Sequence, residues 1–159
     1  MAEEVPVWGD ELQDYINIGG DGAESWVNVS NLLSWEFDDD ADAYEPEYID
    51  TKARPSYVRS KSASIDYEKD FYKNNVLDEF LTAHEDDSNI SVQVCRVRTW
   101  EKATSGGKGA KMANFLLTPS QLDKNSAGEP IKLKGTLNMS DGAWTKGAWD
   151  GTKFTAATA

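Results

Sequence analysis

Tyr57-Val58-Arg59-Ser60-Lys61-Ser62-Ala63-Ser64-Ile65-Asp66-Tyr67 is the stretch on which the reading of this chain turns. Side chains of a strand alternate between faces, so Tyr57, Arg59, Lys61, Ala63, Ile65 and Tyr67 share one side, and Val58, Ser60, Ser62, Ser64 and Asp66 the other. A β-strand is expected, with a small, polar middle that leaves one face to solvent or to another subunit. Downstream, Ile90, Val92 and Val94 alternate with Ser91, Gln93 and Cys95, which predicts a second, more core-like strand, and the shift to Val97 suggests a bulge.

Between these strands lies the one convincing helix, expected over about residues 75–85. Asn75 can cap its N-terminus, and the acids Asp78 and Glu79 in its first turn suit the positive end of the helix dipole. Val76, Leu77, Phe80 and Leu81 then form an apolar stripe. So short a helix is not stable alone, so the stripe must lie against a sheet.

The remaining chain reads as β. Leu12, Tyr15, Ile16 and Ile18 give a first strand, turned back by Gly19, Gly20 and Gly22; Trp26 to Val29 and Leu32 to Phe37 give two more. Residues 38–56, with Asp38, Asp39, Asp40 and Asp42 followed by two prolines, read as a long loop, a length that usually has a job. Residues 111–118 return as a strand after the flexible run 104–109. Ile131, Leu133, Gly135 and Leu137 alternate with Lys132, Lys134, Thr136 and Asn138, the clearest period of two in the chain. Turns at Asp141-Gly142 and Asp150-Gly151 predict hairpins across residues 131–156. The expected fold is mostly β, a sandwich or partly closed barrel with one flanking helix, in a single domain over residues 1–159.

Composition narrows the function. The 159 residues suffice for one core, and six Trp, six Tyr and five Phe argue against disorder. A formal charge of -12 and a pI near 4.4 repel a nucleic-acid backbone, which argues against a DNA reader. Met1 to Glu4 carry neither a basic region nor an apolar run, so no secretory signal is visible, and no apolar run is long enough to span a bilayer.

Candidate chemistry is thin. Asp38, Asp40 and Asp42 match the first ligand spacings of a calcium loop, but Ala43 stands where the turn glycine belongs and Ile49 where the closing glutamate belongs, so a solvated acidic segment is the better reading. Gly106, Gly107, Lys108 and Gly109 lack the upstream glycine and the following hydroxyl of a phosphate loop, and read as a hairpin turn. His84 has no second ligand or nucleophile beside it and reads as packing or capping. Cys95, the only cysteine, excludes an internal disulfide and reads as a small buried residue. Trp144 and Trp149, five apart, would face opposite sides of one strand, which favours core or interface packing over a sugar platform. No catalytic residue, metal site or cofactor is expected.

The order of features nevertheless resembles a family. Ser25-Trp26-Val27-Asn28-Val29-Ser30, then Leu33-Ser34-Trp35-Glu36-Phe37, Glu47-Tyr48-Ile49-Asp50, the strand Tyr57 to Tyr67, the tract Asp70 to Phe80 and Lys134-Gly135-Thr136-Leu137 are together similar to the major tail tube proteins of long-tailed bacteriophages. The likeness spans about Glu11 to Phe154 and rests on order and texture rather than on one diagnostic motif. It implies a non-enzymatic virion protein, made in the host cytoplasm, that forms hexameric rings. The rings stack into a tube whose lumen barrel is completed by assembly and conducts DNA into the host. Implied partners are further copies of itself, the tape-measure protein, the tail-initiating and tail-terminating proteins, and DNA in non-specific passage. On that reading Asp38, Asp39, Asp40, Asp42, Tyr44 and Tyr48 are candidates for contacts between rings, and Ser60, Ser62, Ser64 and Asp66 for the lumen surface, where an acidic wall would let phosphate slide. The alternatives are a β-sandwich module binding carbohydrate or a surface through tryptophans, and the tube protein of a contractile tail or injection machine.

Overall fold

A computed structural model describes the backbone of residues 3–19, 24–30, 32–44, 49, 52, 57–104, 106–122, 127–141 and 143–157, with side chains for all of these except 39–44 and 57–62. Nine strands and one helix follow in the order β1 (Leu12–Asn17), β2 (Trp26–Asn28), β3 (Leu32–Tyr44), β4 (Tyr57–Asp70), α1 (Val76–Ala83), β5 (Ile90–Lys102), β6 (Lys108–Pro119), β7 (Lys132–Met139), β8 (Thr145–Trp149) and β9 (Phe154–Ala156). The strand pairings are antiparallel.

One path through the sheet runs β2-β1-β5-β6-β7-β4-β3. The sheet forks at β6, because residues 115–119 pair with β7 while residues 108–112 pair with β8, which in turn carries β9. The sheet does not close, yet it curls: the Arg96 guanidinium of β5 lies 4.0 Å from the centre of the Phe37 ring of β3, four places away in the strand order. This is the mostly-β, partly closed architecture expected from sequence.

Each face of the central strands has its own core. On one, Val92, Val94, Ala113, Phe115, Leu117, Ile65, Tyr67 and Leu137 pack with Leu77 and Leu81 of α1. On the other, Cys95, Val97, Trp149 and Phe154 pack with Tyr15, Trp26 and Met112. The second core corrects the expected bulge at Val97. Pairing of β5 with β6 is unbroken from Ile90 to Arg98, and the register shifts only between Arg98 and Lys102. Val97 changes sides in the pattern because the β8–β9 branch buries the second face, making both faces apolar there.

A second correction concerns residues 38–56. Residues 38–44 are not loop; they continue β3 and pair with β4 as far as Tyr44 opposite Tyr57. Aspartates disfavour strands, but propensity is weak beside a ladder that satisfies the backbone groups of both strands. The rest of the expected loop, apart from residues 49 and 52, lies outside the described residues.

The turn at residues 150–153 is also longer than the expected Asp-Gly pair. Trp149 pairs with Phe154, and the Asp150 carboxylate accepts hydrogen bonds from the amides of Thr152 and Lys153 at 2.8 and 2.9 Å. Those donors hold its pKa below the usual carboxylate value. Gly151 takes φ +106, open to glycine and strained for other residues.

Candidate assembly surface

The helix is seated by charge as well as by its apolar stripe. The Asn75 side chain caps it, accepting from the Asp78 amide at 3.2 Å. Asp78 does not face solvent as a dipole partner: it is fully buried, its carboxylate accepting from the Lys69 ammonium and, at 2.9 Å, from the Tyr72 amide. Lys69 is buried too, pointing inward from β4, so one ion pair joins the central strand to the start of α1. The sequence hid this pair, because a lysine at an inward strand position reads as solvent-facing. Val76, placed in the apolar stripe from sequence, is 58% exposed, because the buried face of α1 is that of Leu77, Asp78 and Leu81, on the other side of the helix.

The small polar residues of β4 and the acids of β3 form one surface. The register sets Glu36 opposite Asp66 and Asp38 opposite Ser64. On the other side of β4, Asp66 lies opposite Thr136 and Ser64 opposite Asn138. Directly opposed residues share a face, and Glu36, Asp38, Asp66, Thr136 and Asn138 are all exposed on it. Asp40 opposite Ser62 and Asp42 opposite Ser60 are the next register positions along the same two strands. Two groups of candidates that looked separate in sequence thus lie on paired strands of one hairpin. Asp39 and Tyr44 lie in the same strand, opposite Ala63 and Tyr57, and Tyr48 lies outside the described residues.

Beyond Ser64 this hairpin leaves the sheet. β7 pairs with β4 only from Ser64 to Asp70, so among the described residues the segment 57–63 pairs with β3 alone, a two-stranded ribbon reaching about 20 Å past β7. Such ribbons are marginal in isolation. Glu36 opposite Asp66 is also unfavourable for the subunit by itself, because like charges directly opposed repel.

The remaining candidates resolve into packing. Cys95 is fully buried, and burial with the nearby Asp14 charge pushes its thiol up to about 12. His84 ends the helix with its ring 4.5 Å from Phe80 and its Nδ1 2.8 Å from an Asp87 oxygen. Trp149 is buried, stacked on Tyr15 at 4.3 Å, with Trp26 edge-on at 5.8 Å. Trp144 packs partly buried against Phe37 and Phe115 on the opposite face. Neither tryptophan offers an open sugar platform. Gly106 and Gly107 make the β5–β6 turn with positive φ, and a Cβ at Gly107 would stand 2.6 Å from the Trp149 carbonyl oxygen. Among the described residues no group of three His, Cys, Asp or Glu side chains could hold a metal ion, and no helix is long and apolar enough to cross a membrane.

Among the described carboxylates, Asp14 departs strongly from its usual value. Asp14 of β1 is nearly buried, and desolvation raises its pKa to about 6 against the opposing pull of Arg96, whose Nε donates to it at 3.0 Å, and of Trp35. It ties β1 to β5 and lies beside β3 across the curled sheet.

No family model and no curated protein matches this sequence. Solved structures do share its fold. The tail of an empty gene transfer agent particle, with C6 symmetry, superposes with a TM-score of 0.60 at 17% identity, over 95% of this chain and 100% of that one. A chain from the virion of a native gene transfer agent particle matches with a TM-score of 0.60 at 16% identity, over 95% of this chain and 100% of the other. A chain of the anti-feeding prophage baseplate, six-fold symmetrised, matches with a TM-score of 0.57 at 8% identity, over 92% and 98%. At these identities the likeness is one of fold, and it runs the length of both partners.

Proposed function

We propose that this chain, which has the fold of those tail and baseplate subunits, is the structural subunit of a phage-like tail tube, forming stacked hexameric rings around a conduit for DNA. The observation that carries the reading is the end-to-end match with a gene transfer agent tail subunit. Three physical features support it. Among the described residues the outer edges of β2 and β3, at the two ends of the main strand path, pair with no further strand, and assembly would consume edges that otherwise invite aggregation. Among the described residues the ribbon of residues 39–44 and 57–63 has no third strand, and a neighbouring copy would supply one. Glu36 opposed to Asp66 costs the subunit stability but suits a wall that must not bind phosphate.

In this reading the face carrying Ser60, Ser62, Ser64 and Asp66 lines the lumen. Glu36 and Asp38, opposite Asp66 and Ser64, belong to the same wall, Asp40 and Asp42 hold the next register positions, and the ribbon, from Asp39 at its base to Tyr44 at its end, reaches the adjacent copy. Tape-measure, tail-initiating and tail-terminating proteins are the further partners, the virion tail is the location, and no catalysis is assigned.

Negative-stain electron microscopy of the concentrated protein tests the proposal. Hollow tubes of stacked six-fold rings are expected; a monomer that persists at high concentration, with no such tube in any parent particle, overturns it. Asp66→Lys should stabilise the isolated subunit by about 0.2–1 kcal/mol, by removing the repulsion with Glu36, while slowing DNA passage through assembled tubes. Unimpaired passage would remove Asp66 from the lumen.

A further inference from the structure

Ladder partners of like charge are concentrated in one corner of the sheet. Arg96 of β5 stands opposite Lys111 of β6, Lys111 stands opposite Lys146 of β8, and Lys102 stands opposite Lys108 across the β5–β6 hairpin. Cations directly opposed repel, so each of these pairs costs the isolated subunit stability. Their concentration stands out in a chain with only 16 Lys and Arg and a charge of -12.

The subunit answers part of this charge itself. Asp14 pairs with Arg96 at 3.0 Å, and Glu101 pairs with Arg98 at 3.4 Å. Asp150 holds its own turn, and the Lys111 ammonium lies 4.5 Å from the centre of the Trp144 ring. Lys102, Lys108 and Lys146 remain exposed at this end of the sheet, Lys146 lining a surface hollow of about 160 Å³ with Arg98, Glu101, Lys111, Gly109 and Gly147, and Lys108 on the other face with its ammonium donating to the Thr99 carbonyl at 2.8 Å.

The opposite end of the sheet carries the complementary sign. β5 starts just beyond the turn that follows α1, where Asp86 and Asp87 are exposed, and Glu129 is exposed in the turn before β7. The 13 residues of β5 separate the two ends by about 40 Å, too far for one subunit to neutralise its own corner with these acids.

We infer that the basic corner formed by Lys102, Lys108 and Lys146 docks the acidic turn at Asp86 and Asp87 of a second copy, giving a head-to-tail contact. Such a contact joins unlike surfaces and propagates as an open stack where the rotation between copies does not close, as ring-on-ring stacking requires. The inference rests on the tail-tube reading and assigns that assembly one of its contacts.

A charge-swap experiment tests it. One variant carries Lys102→Glu with Lys146→Glu, a second carries Asp86→Lys with Asp87→Lys, and a third carries all four. Tube mass is measured by sedimentation and electron microscopy at about 0.15 M salt, with thermal unfolding of each monomer as the folding control. Each two-site variant is expected to lose tube mass at least about tenfold while its monomer stays folded, and the four-site variant to recover it, because coupling between close charge pairs is worth more than 1.4 kcal/mol. Normal tubes from either two-site variant would overturn the contact and leave the tail-tube reading standing. So would rescue of the lysine variant by Asp40→Lys instead of the Asp86 and Asp87 changes, which would identify the acidic stretch of β3 as the occupant. If the unaltered protein makes no tubes, it is the tail-tube reading that fails, and the contact with it.

Discussion

Replacing Asp78 by Ala removes one partner of an ion pair in which both side chains are buried, and the rest of the core then has to keep the Lys69 ammonium out of water unpaired. Breaking such a pair from one side costs about 3–5 kcal/mol. The Tyr72 amide loses its acceptor as well, but it is only part-buried and can turn to water. For a domain of this length each kcal/mol lowers the melting temperature by about 2–4 °C, so Asp78→Ala should melt about 6–20 °C below the parent. A helix cap alone, worth about 1 kcal/mol, would shift it only a few degrees. Urea unfolding of Asp78→Ala, Lys69→Met and the double variant Lys69→Met with Asp78→Leu separates the two explanations. The double variant removes both charges at similar volume and should fall within about 1–2 kcal/mol of the parent, well above the sum of its parts. A cost below about 1 kcal/mol for Asp78→Ala, or additive losses in the double variant, would refute the argument that this pair locks α1 onto β4.

Asp14, Cys95 and Gly147 each set a measurable outcome through their burial or close packing. The Asp14 carboxyl binds its proton more tightly folded than unfolded, so its contribution is fully present below about pH 4 and is lost as pH rises through about 6, a change of up to about 3 kcal/mol. The stability of Asp14→Asn relative to the parent should therefore rise across that window, and parallel urea curves at pH 4, 5, 6 and 7 would contradict it. Cys95, buried with its thiol pushed up to about 12, should resist a thiol reagent at pH 8 until the protein is unfolded, and prompt native labelling would count against the β8–β9 cover. A Cβ at Gly147 would stand 2.1 Å from the backbone oxygen of Thr155, so Gly147→Ala should cost about 1–3 kcal/mol and redden the Trp149 emission as β9 is pushed away; an unchanged spectrum and stability would mean that β9 does not pack as described.

The strands with one polar face were legible in sequence. β7 alternates cleanly, and the observed burial follows it, with Leu133, Gly135 and Leu137 inside and Lys134, Thr136 and Asn138 outside. The helix was legible from its Asn75 cap and apolar stripe. Where both faces are buried, as at Cys95 and Val97, period two failed, because a second layer adds apolar demand that a single-strand pattern does not anticipate. Residues 38–44 misled for the opposite reason, since four aspartates outweighed in the reading a backbone pairing that depends on a strand some twenty residues away.

The chain's own pattern determined that it would be a mostly antiparallel protein with one small helix, because side-chain alternation and capping are local properties. Tertiary structure alone decided the rest. It set the acids of β3 beside the serines of β4, buried Lys69 against Asp78, and gathered cations from β5, β6 and β8 into one corner. Each of these depends on register and on the curl of the sheet, which are fixed by contacts between residues far apart in sequence, and local pattern carries no information about distance across a fold.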